Sequence, residues 1–124
     1  MITVIKSPFV QYKLTILRNK KTSNTVFRQT MNEISYLIAS DVLQYVPFKK
    51  QTIETPLKKM SGTALGQPII LVPILRAGLG LLEGFAKFLP EAEKGHIGLY
   101  RDEQTYEPVE YLFKLPRVKN KKVL

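Results

Sequence analysis

Apolar positions recur at different periods along this chain, and each period predicts its own element. Residues 69–72, Ile-Ile-Leu-Val, form a short continuous apolar run. Such a run marks a strand buried on both faces. Pro73 cannot donate to a ladder, so the strand is expected to end there. Leu81, Leu82, Phe85, Ala86 and Leu89 then recur at helical spacing. Pro90 stops that helix, because the residue before a proline is pushed out of the helical region. Between strand and helix lie Arg76, Ala77, Gly78 and Gly80. The glycines permit positive φ and a close approach by another group.

The rest of the pattern is arranged around this segment. A short strand is expected over residues 3–5. Ser7-Pro8 is a helix start, a capping hydroxyl followed by proline at the first helical position. Val10, Leu14 and Leu17 share a face of that helix. A longer helix carries Phe27, Met31, Ile34, Ile38, Val42 and Tyr45 at spacings of three and four, capped within residues 22–25 and closed by Pro47. That stripe reads as core, and Arg28, one position off it, as a solvated charge. Residues 51–55 predict a strand bounded by Pro56, and residues 61–68 a turn-rich link containing Gly62, Gly66 and Pro68.

Residues 95–115 predict a hairpin. Ile97, Leu99 and Arg101 share one parity, which aims Arg101 with the apolar face. Residues 102–105 form the turn, and Val109, Tyr111, Phe113 and Leu115 alternate with more polar positions. A basic connector, residues 116–122, leads into Val123-Leu124, which reads as the start of a buried strand.

A glycine loop between a strand and a helix is a ready anion site, because free N–H groups and the helix dipole both favour a phosphate. Arg76 would add a charged fork at its mouth. Spacing alone leaves the bland alternative standing: many strand–glycine–helix connections bind nothing, and Arg76 by itself is also a plausible surface charge. His96 reads as a surface or satisfied residue, and Glu103, Glu107 and Glu110 as solvated carboxylates with no pairing for acid–base work.

Composition narrows the classes. The 124 residues are 44% hydrophobic, enough for one modest domain. With no cysteine and one histidine, neither disulfides nor a thiolate or His-rich metal site is expected. No stretch is apolar for the length of a membrane span, and a cytoplasmic protein without membrane contact is the expectation. The net charge is +9: residues 1–68 carry ten Lys/Arg against three Asp/Glu, and residues 69–124 nine against seven. A basic balance suits anionic partners, but these charges are dispersed and form no aromatic–basic platform. The bland alternative is that they are solvated surface or are balanced by acidic residues outside this chain; nucleic acid is not expected as a partner.

Several motifs together carry a resemblance. They are Leu17-Arg18 followed by Thr25, Phe27-Arg28 and Glu33-Ile34; Thr55-Pro56-Leu57; Pro73-Ile74-Leu75-Arg76-Ala77-Gly78-Leu79-Gly80; and Tyr100-Arg101-Asp102-Glu103 through Glu107-Pro108-Val109. In this order and spacing the sequence resembles uracil phosphoribosyltransferase. The resemblance implies an α/β protein with an incomplete type I phosphoribosyltransferase fold: N-terminal helices, part of a parallel sheet and a protruding β-hairpin. One domain is expected, made of a helix/strand segment (1–68), a pyrophosphate-loop strand–loop–helix (69–94) and a hairpin arm (95–116).

The family couples uracil to phosphoribosyl pyrophosphate (PRPP), giving uridine monophosphate (UMP) and pyrophosphate. By resemblance Arg76, with the backbone of Ala77 and Gly78, matches the pyrophosphate-binding loop, and Arg101 the hairpin arginine that reaches PRPP. No general base is implied among the residues present. Magnesium would be bound chiefly through PRPP, and some members respond to GTP, for which no residue is assigned. A homo-oligomer through the hairpin arm is expected. The family's Thr-Gly-Gly-Ser PRPP loop and uracil-holding segment have no counterpart here, so the chain is expected to be an N-terminal portion, inactive alone. The alternative is a non-catalytic remnant or dimerising module of the same family; a nucleic-acid-binding protein, resting on charge alone, is a weaker third.

Overall fold

A computed structural model describes residues 4–124. The elements in chain order are α1 (Pro8–Arg18), α2 (Asn24–Leu43), β1 (Phe48–Glu54), β2 (Lys59–Leu65), β3 (Ile69–Leu71), β4 (Ile74–Leu75), α3 (Leu79–Phe88), β5 (Glu93–Lys94), β6 (His96–Arg101), β7 (Pro108–Lys114) and β8 (Lys122–Val123). Thr3 lies outside the described residues, and Val4 and Ile5 belong to no strand.

The anchor run behaves as its composition demands. All of β3 is buried. It pairs in parallel with β5 on one side and β8 on the other. The strand ends at Leu71, just before Pro73, as expected. The Leu71 carbonyl accepts from the Gly95 N–H at 3.0 Å and the Pro73 carbonyl from the Ile97 N–H at 3.4 Å. Pairing then resumes in parallel, Ile74 opposite Ile97 and Leu75 opposite Gly98. A proline lacks only the donor; its carbonyl still serves the ladder. The β3–β4 line therefore lies alongside the β5–β6 line, with β8 and β7 at the outer edges.

Helices α1 and α2 both start where expected. The Ser7 hydroxyl accepts from the Val10 N–H, with Pro8 in the first turn, and the Ser23 hydroxyl accepts from the Val26 N–H. Helix α3 ends at Phe88, with Leu89 at φ −127° before Pro90. Leu82, Phe85 and Ala86 of α3 pack with Leu43 and Leu124 on the core of Val46, Ile69, Leu71 and Leu89. On the outer side, Lys13 pairs with Glu33 at 2.6 Å, tying α1 to α2.

The α2 stripe needs correction. The helix ends at Leu43, and Tyr45 beyond it is 69% exposed. The fully buried face is Thr30, Ile34, Ser35 and Ala39, mostly small residues. The reason is the neighbour: a Cβ built on Gly84 of α3 would lie 2.2 Å from the Ser35 Oγ and 2.6 Å from the Tyr36 N. Two helix backbones this close leave no room for large side chains on either.

Residues 61–68 are not a link either. Lys59–Leu65 forms β2, antiparallel to β1 from Phe48 opposite Leu65 to Glu54 opposite Lys59. The strand is longer than residues 51–55, and the turn around Pro56 is held by the Thr55 hydroxyl. That oxygen accepts from the Lys58 N–H at 3.1 Å. Gly62 fits inside the strand because the Ile53 side chain covers it. Every residue of β1 is exposed, so the periodicity of burial had nothing to act on here.

Candidate functional site

The register of the parallel strands decides which residues meet. Arg76 follows Leu75, the last residue of β4, which is level with Gly98 of β6. Arg101, the last residue of β6, lies three residues beyond Gly98. At the usual rise of a strand it projects roughly 7 Å farther along the sheet than the level of Arg76. Both arginines thus emerge at the carboxyl ends of adjacent parallel strands. That is the edge where open α/β sheets bind ligands.

Residues 76–78 form a tight turn into α3. The Leu75–Arg76 peptide is cis. The turn closes on itself: the Gly78 N–H donates to the Ile74 carbonyl at 2.8 Å, Leu79 to Arg76 at 3.1 Å and Gly80 to Ala77 at 3.3 Å. These short-range bonds occupy donors that the loop was expected to offer to an anion. Positive φ is also not used, since no glycine adopts it and Gly78 sits at φ −63°. What Gly78 supplies is room. A Cβ there would lie 2.7 Å from the Ile74 N and 2.8 Å from its carbonyl oxygen. The close approach is made by the chain's own β4. With the Gly78, Leu79 and Gly80 N–H groups turned inward, the exposed Arg76 side chain stands at the loop's mouth.

Arg101 is exposed as well. Among the described residues the ion pairs are Lys13–Glu33 and Lys121–Glu93. Neither Arg76 nor Arg101 is held by a carboxylate, so two free guanidiniums stand at one edge of the sheet.

The hairpin that carries Arg101 departs from simple alternation. Gly98 opposes Leu112 whereas Leu99 opposes Glu110, so Tyr111 is an extra residue, a β-bulge. Beyond a bulge the faces exchange. Val109 therefore falls with Leu112 and Phe113 with Glu110, so the alternating set Val109, Tyr111, Phe113 does not share a face. The bulge lays the Tyr111 ring over Gly98, where a Cβ would approach it to 2.6 Å. Leu99, Tyr100, Leu112 and Phe113 are all exposed, so Arg101 shares no buried apolar face. Val123 is likewise exposed, on the sheet edge rather than inside it.

The turn after Arg101 is strongly built. Asp102 Oδ1 accepts from the N–H groups of Gln104 at 2.9 Å and Thr105 at 2.8 Å, and from the Thr105 hydroxyl at 3.1 Å. These bonds hold the Asp102 carboxyl below its ordinary value, the Thr105 N–H contributing most. A depressed carboxyl stabilises the turn above its ordinary range and loses that contribution as pH falls through the lowered value. Slow hydrogen exchange of the Gln104 and Thr105 amides is therefore expected to survive mild acid and fail only when Asp102 protonates; loss of protection at the pH of an ordinary carboxylate would contradict it. The sequence reading placed this turn but not the role of Thr105. An Asp with a Thr three residues on was the available signal.

The model of the family described as "Uracil phosphoribosyltransferase" matches residues 4–124. A uracil phosphoribosyltransferase of Levilactobacillus brevis is 48% identical over 114 residues, 91% of this chain and 54% of that protein. One from Lactiplantibacillus plantarum is 49% identical with the same coverage. The chain spans about half the length of these curated relatives. The solved structure titled "Structure of AQ2163 protein from Aquifex aeolicus" superposes with a TM-score of 0.89 at 31% identity, covering 99% of this chain and 60% of that one. The architecture is a partial type I phosphoribosyltransferase fold.

Proposed function

Since the chain belongs to the uracil phosphoribosyltransferase family, a family of transferases, we propose that it supplies the pyrophosphate-binding wall of an enzyme that converts uracil and PRPP to UMP and pyrophosphate in pyrimidine salvage. The observation that carries this reading is the pair of exposed arginines, Arg76 and Arg101, at the carboxyl ends of parallel-paired β4 and β6. In the reaction the bond from ribose C1 to the pyrophosphate oxygen breaks, and pyrophosphate leaves with the electron pair. A bond from C1 to the uracil nitrogen forms, and that nitrogen's proton is released. Negative charge grows on the leaving group, and guanidiniums placed there favour the transition state over the bound substrate. Arg76 acts as the leaving-group clamp. Arg101, on the outstanding hairpin, closes over it and excludes water that would otherwise hydrolyse the donor.

Magnesium enters as an ion carried by PRPP. Among the described residues no three His, Cys, Asp or Glu side chains cluster to hold a metal, so no ligand set is assigned to it. GTP regulation, seen in some members, has no residue assigned here. No helix among the described residues is long and apolar enough to cross a membrane, which fits the cytoplasmic location we propose.

We also propose that this chain by itself self-associates and forms no UMP. The support is exposed apolar surface. A cavity of about 300 Å³ lined by Leu71, Val72, Ile74, Leu81, Phe85 and Leu124 opens beside the β8 edge. The exposed 95–116 hairpin is the proposed contact between copies. The purified 124-residue chain, incubated with uracil and PRPP, is expected to yield no UMP. Robust turnover would overturn this statement, while supporting the family activity. A second reading, a non-catalytic dimerising module, is favoured by the two exposed hairpins; it predicts that the chain associates but does not bind pyrophosphate.

A further inference from the structure

We propose that Asp102 is a positioning residue for Arg101: its carboxylate closes the turn at the end of β6 and, held there, stays off the neighbouring guanidinium. This rests on the reading of Arg101 as a pyrophosphate ligand. Asp102 is next to Arg101 in the chain, so a free carboxylate at that position would be a ready counter-ion. Instead its Oδ1 is engaged by three donors, two backbone N–H groups and the Thr105 hydroxyl. The backbone is closed as well. The Asp102 N–H donates to the Glu107 carbonyl at 3.0 Å, and the Tyr106 N–H to the Asp102 carbonyl at 2.9 Å. The Thr105 hydroxyl oxygen accepts in turn from the Glu107 N–H at 3.3 Å. Tyr106 is carried through the left-handed region, φ 59°, which few tyrosines adopt. The other carboxylates of the turn, Glu103 and Glu107, are exposed.

Two consequences follow for an anion at the sheet edge. Arg101 pairs with Pro108 at the last rung of the β6–β7 ladder, directly under this turn. Its backbone is therefore ordered before any ligand arrives, which lowers the entropy lost on binding. Its guanidinium also has no intramolecular carboxylate to exchange for a phosphate. Thr105 supplies two of the three donors to Asp102, its backbone N–H and its hydroxyl.

The test uses the 124-residue chain, inorganic pyrophosphate as probe, and titration calorimetry together with NMR relaxation of the Arg101 Nε–H. The chain is expected to bind pyrophosphate, and Arg101→Ala to weaken it. Asp102→Ala is expected to weaken it about tenfold through loss of positioning, with faster motion of the Arg101 side chain. Asp102→Asn keeps an oxygen acceptor for the turn and is expected to recover most of the affinity; it also serves if Asp102→Ala unfolds the hairpin. Thr105→Val loses only the hydroxyl donor and keeps both backbone N–H bonds to Asp102, so it is expected to weaken binding less than Asp102→Ala; a larger loss overturns the proposal. Unchanged affinity in Asp102→Ala, with Arg101→Ala still weakened, overturns the proposal and leaves the pyrophosphate reading intact. Asp102→Asn no better than Asp102→Ala also overturns it, since the charge itself would then be at work. No binding by the unmodified chain, or no effect of Arg101→Ala, overturns the reading of Arg101 and the proposal with it.

Discussion

Replacing Arg76 with alanine is expected to weaken pyrophosphate binding roughly ten- to a hundredfold, the range for a charge-assisted hydrogen-bonding group, and to leave thermal unfolding unchanged. The two halves of this expectation come from the same geometry. Arg76 is exposed and joins no ion pair among the described residues, so the fold does not depend on its side chain. Surface substitutions of that kind stay within about 0.5 kcal/mol. The loop's N–H groups at Gly78, Leu79 and Gly80 are already bonded to Ile74, Arg76 and Ala77 carbonyls. They cannot take over from a missing guanidinium without breaking the turn. In a full-length relative the matching substitution is expected to raise the KM for PRPP. Calorimetry with pyrophosphate and a melting curve on the same sample decide it: unchanged affinity removes the clamp role, and a collapsed melting curve means that Arg76 is structural.

Gly84→Ala is expected to destabilise the chain by about 2–3 kcal/mol, as overpacking of a tight contact does. Helix propensity taken alone gives the opposite sign, a gain of about 1 kcal/mol for alanine over glycine inside a helix. The contact decides the sign. The added methyl would sit 2.2 Å from the Ser35 Oγ and 2.4 Å from the Ser35 carbonyl carbon. A hydroxyl can rotate away, but a helix backbone cannot move without shifting α2 as a whole. Ser35 is fully buried and donates to the Asn32 carbonyl at 2.7 Å, so even the rotation has a cost. Urea unfolding of Gly84→Ala beside an exposed control on the same helix, Lys87→Ala, separates the two effects. A more stable Gly84→Ala protein would mean that the helices are free to move apart.

The elements legible in the sequence were those whose burial follows a period. The strand at 69–71 has apolar side chains on both faces, and both faces are covered. The caps at Ser7 and Ser23 and the stop before Pro90 depend on local backbone chemistry, which neighbouring residues set. The β1–β2 hairpin was half legible, because its strands are exposed and their residues alternate without a buried side. Gly84 passed unremarked inside a helical pattern. A lone glycine there was the one available hint of a close helix contact.

The candidate site divides along the same line. From sequence came the residue types: an arginine and glycines between a strand and a helix, and a second arginine at a hairpin turn. Those are properties of short segments, set by local sterics and donor inventory. That the two arginines share one edge of a sheet depends on β4 pairing with β6 in parallel, Leu75 level with Gly98. The inward bonding of the loop donors, the bulge at Tyr111 and the engagement of Asp102 by Thr105 were also decided only in three dimensions. Each depends on which groups become neighbours, and a period in one strand says nothing about the register of the next.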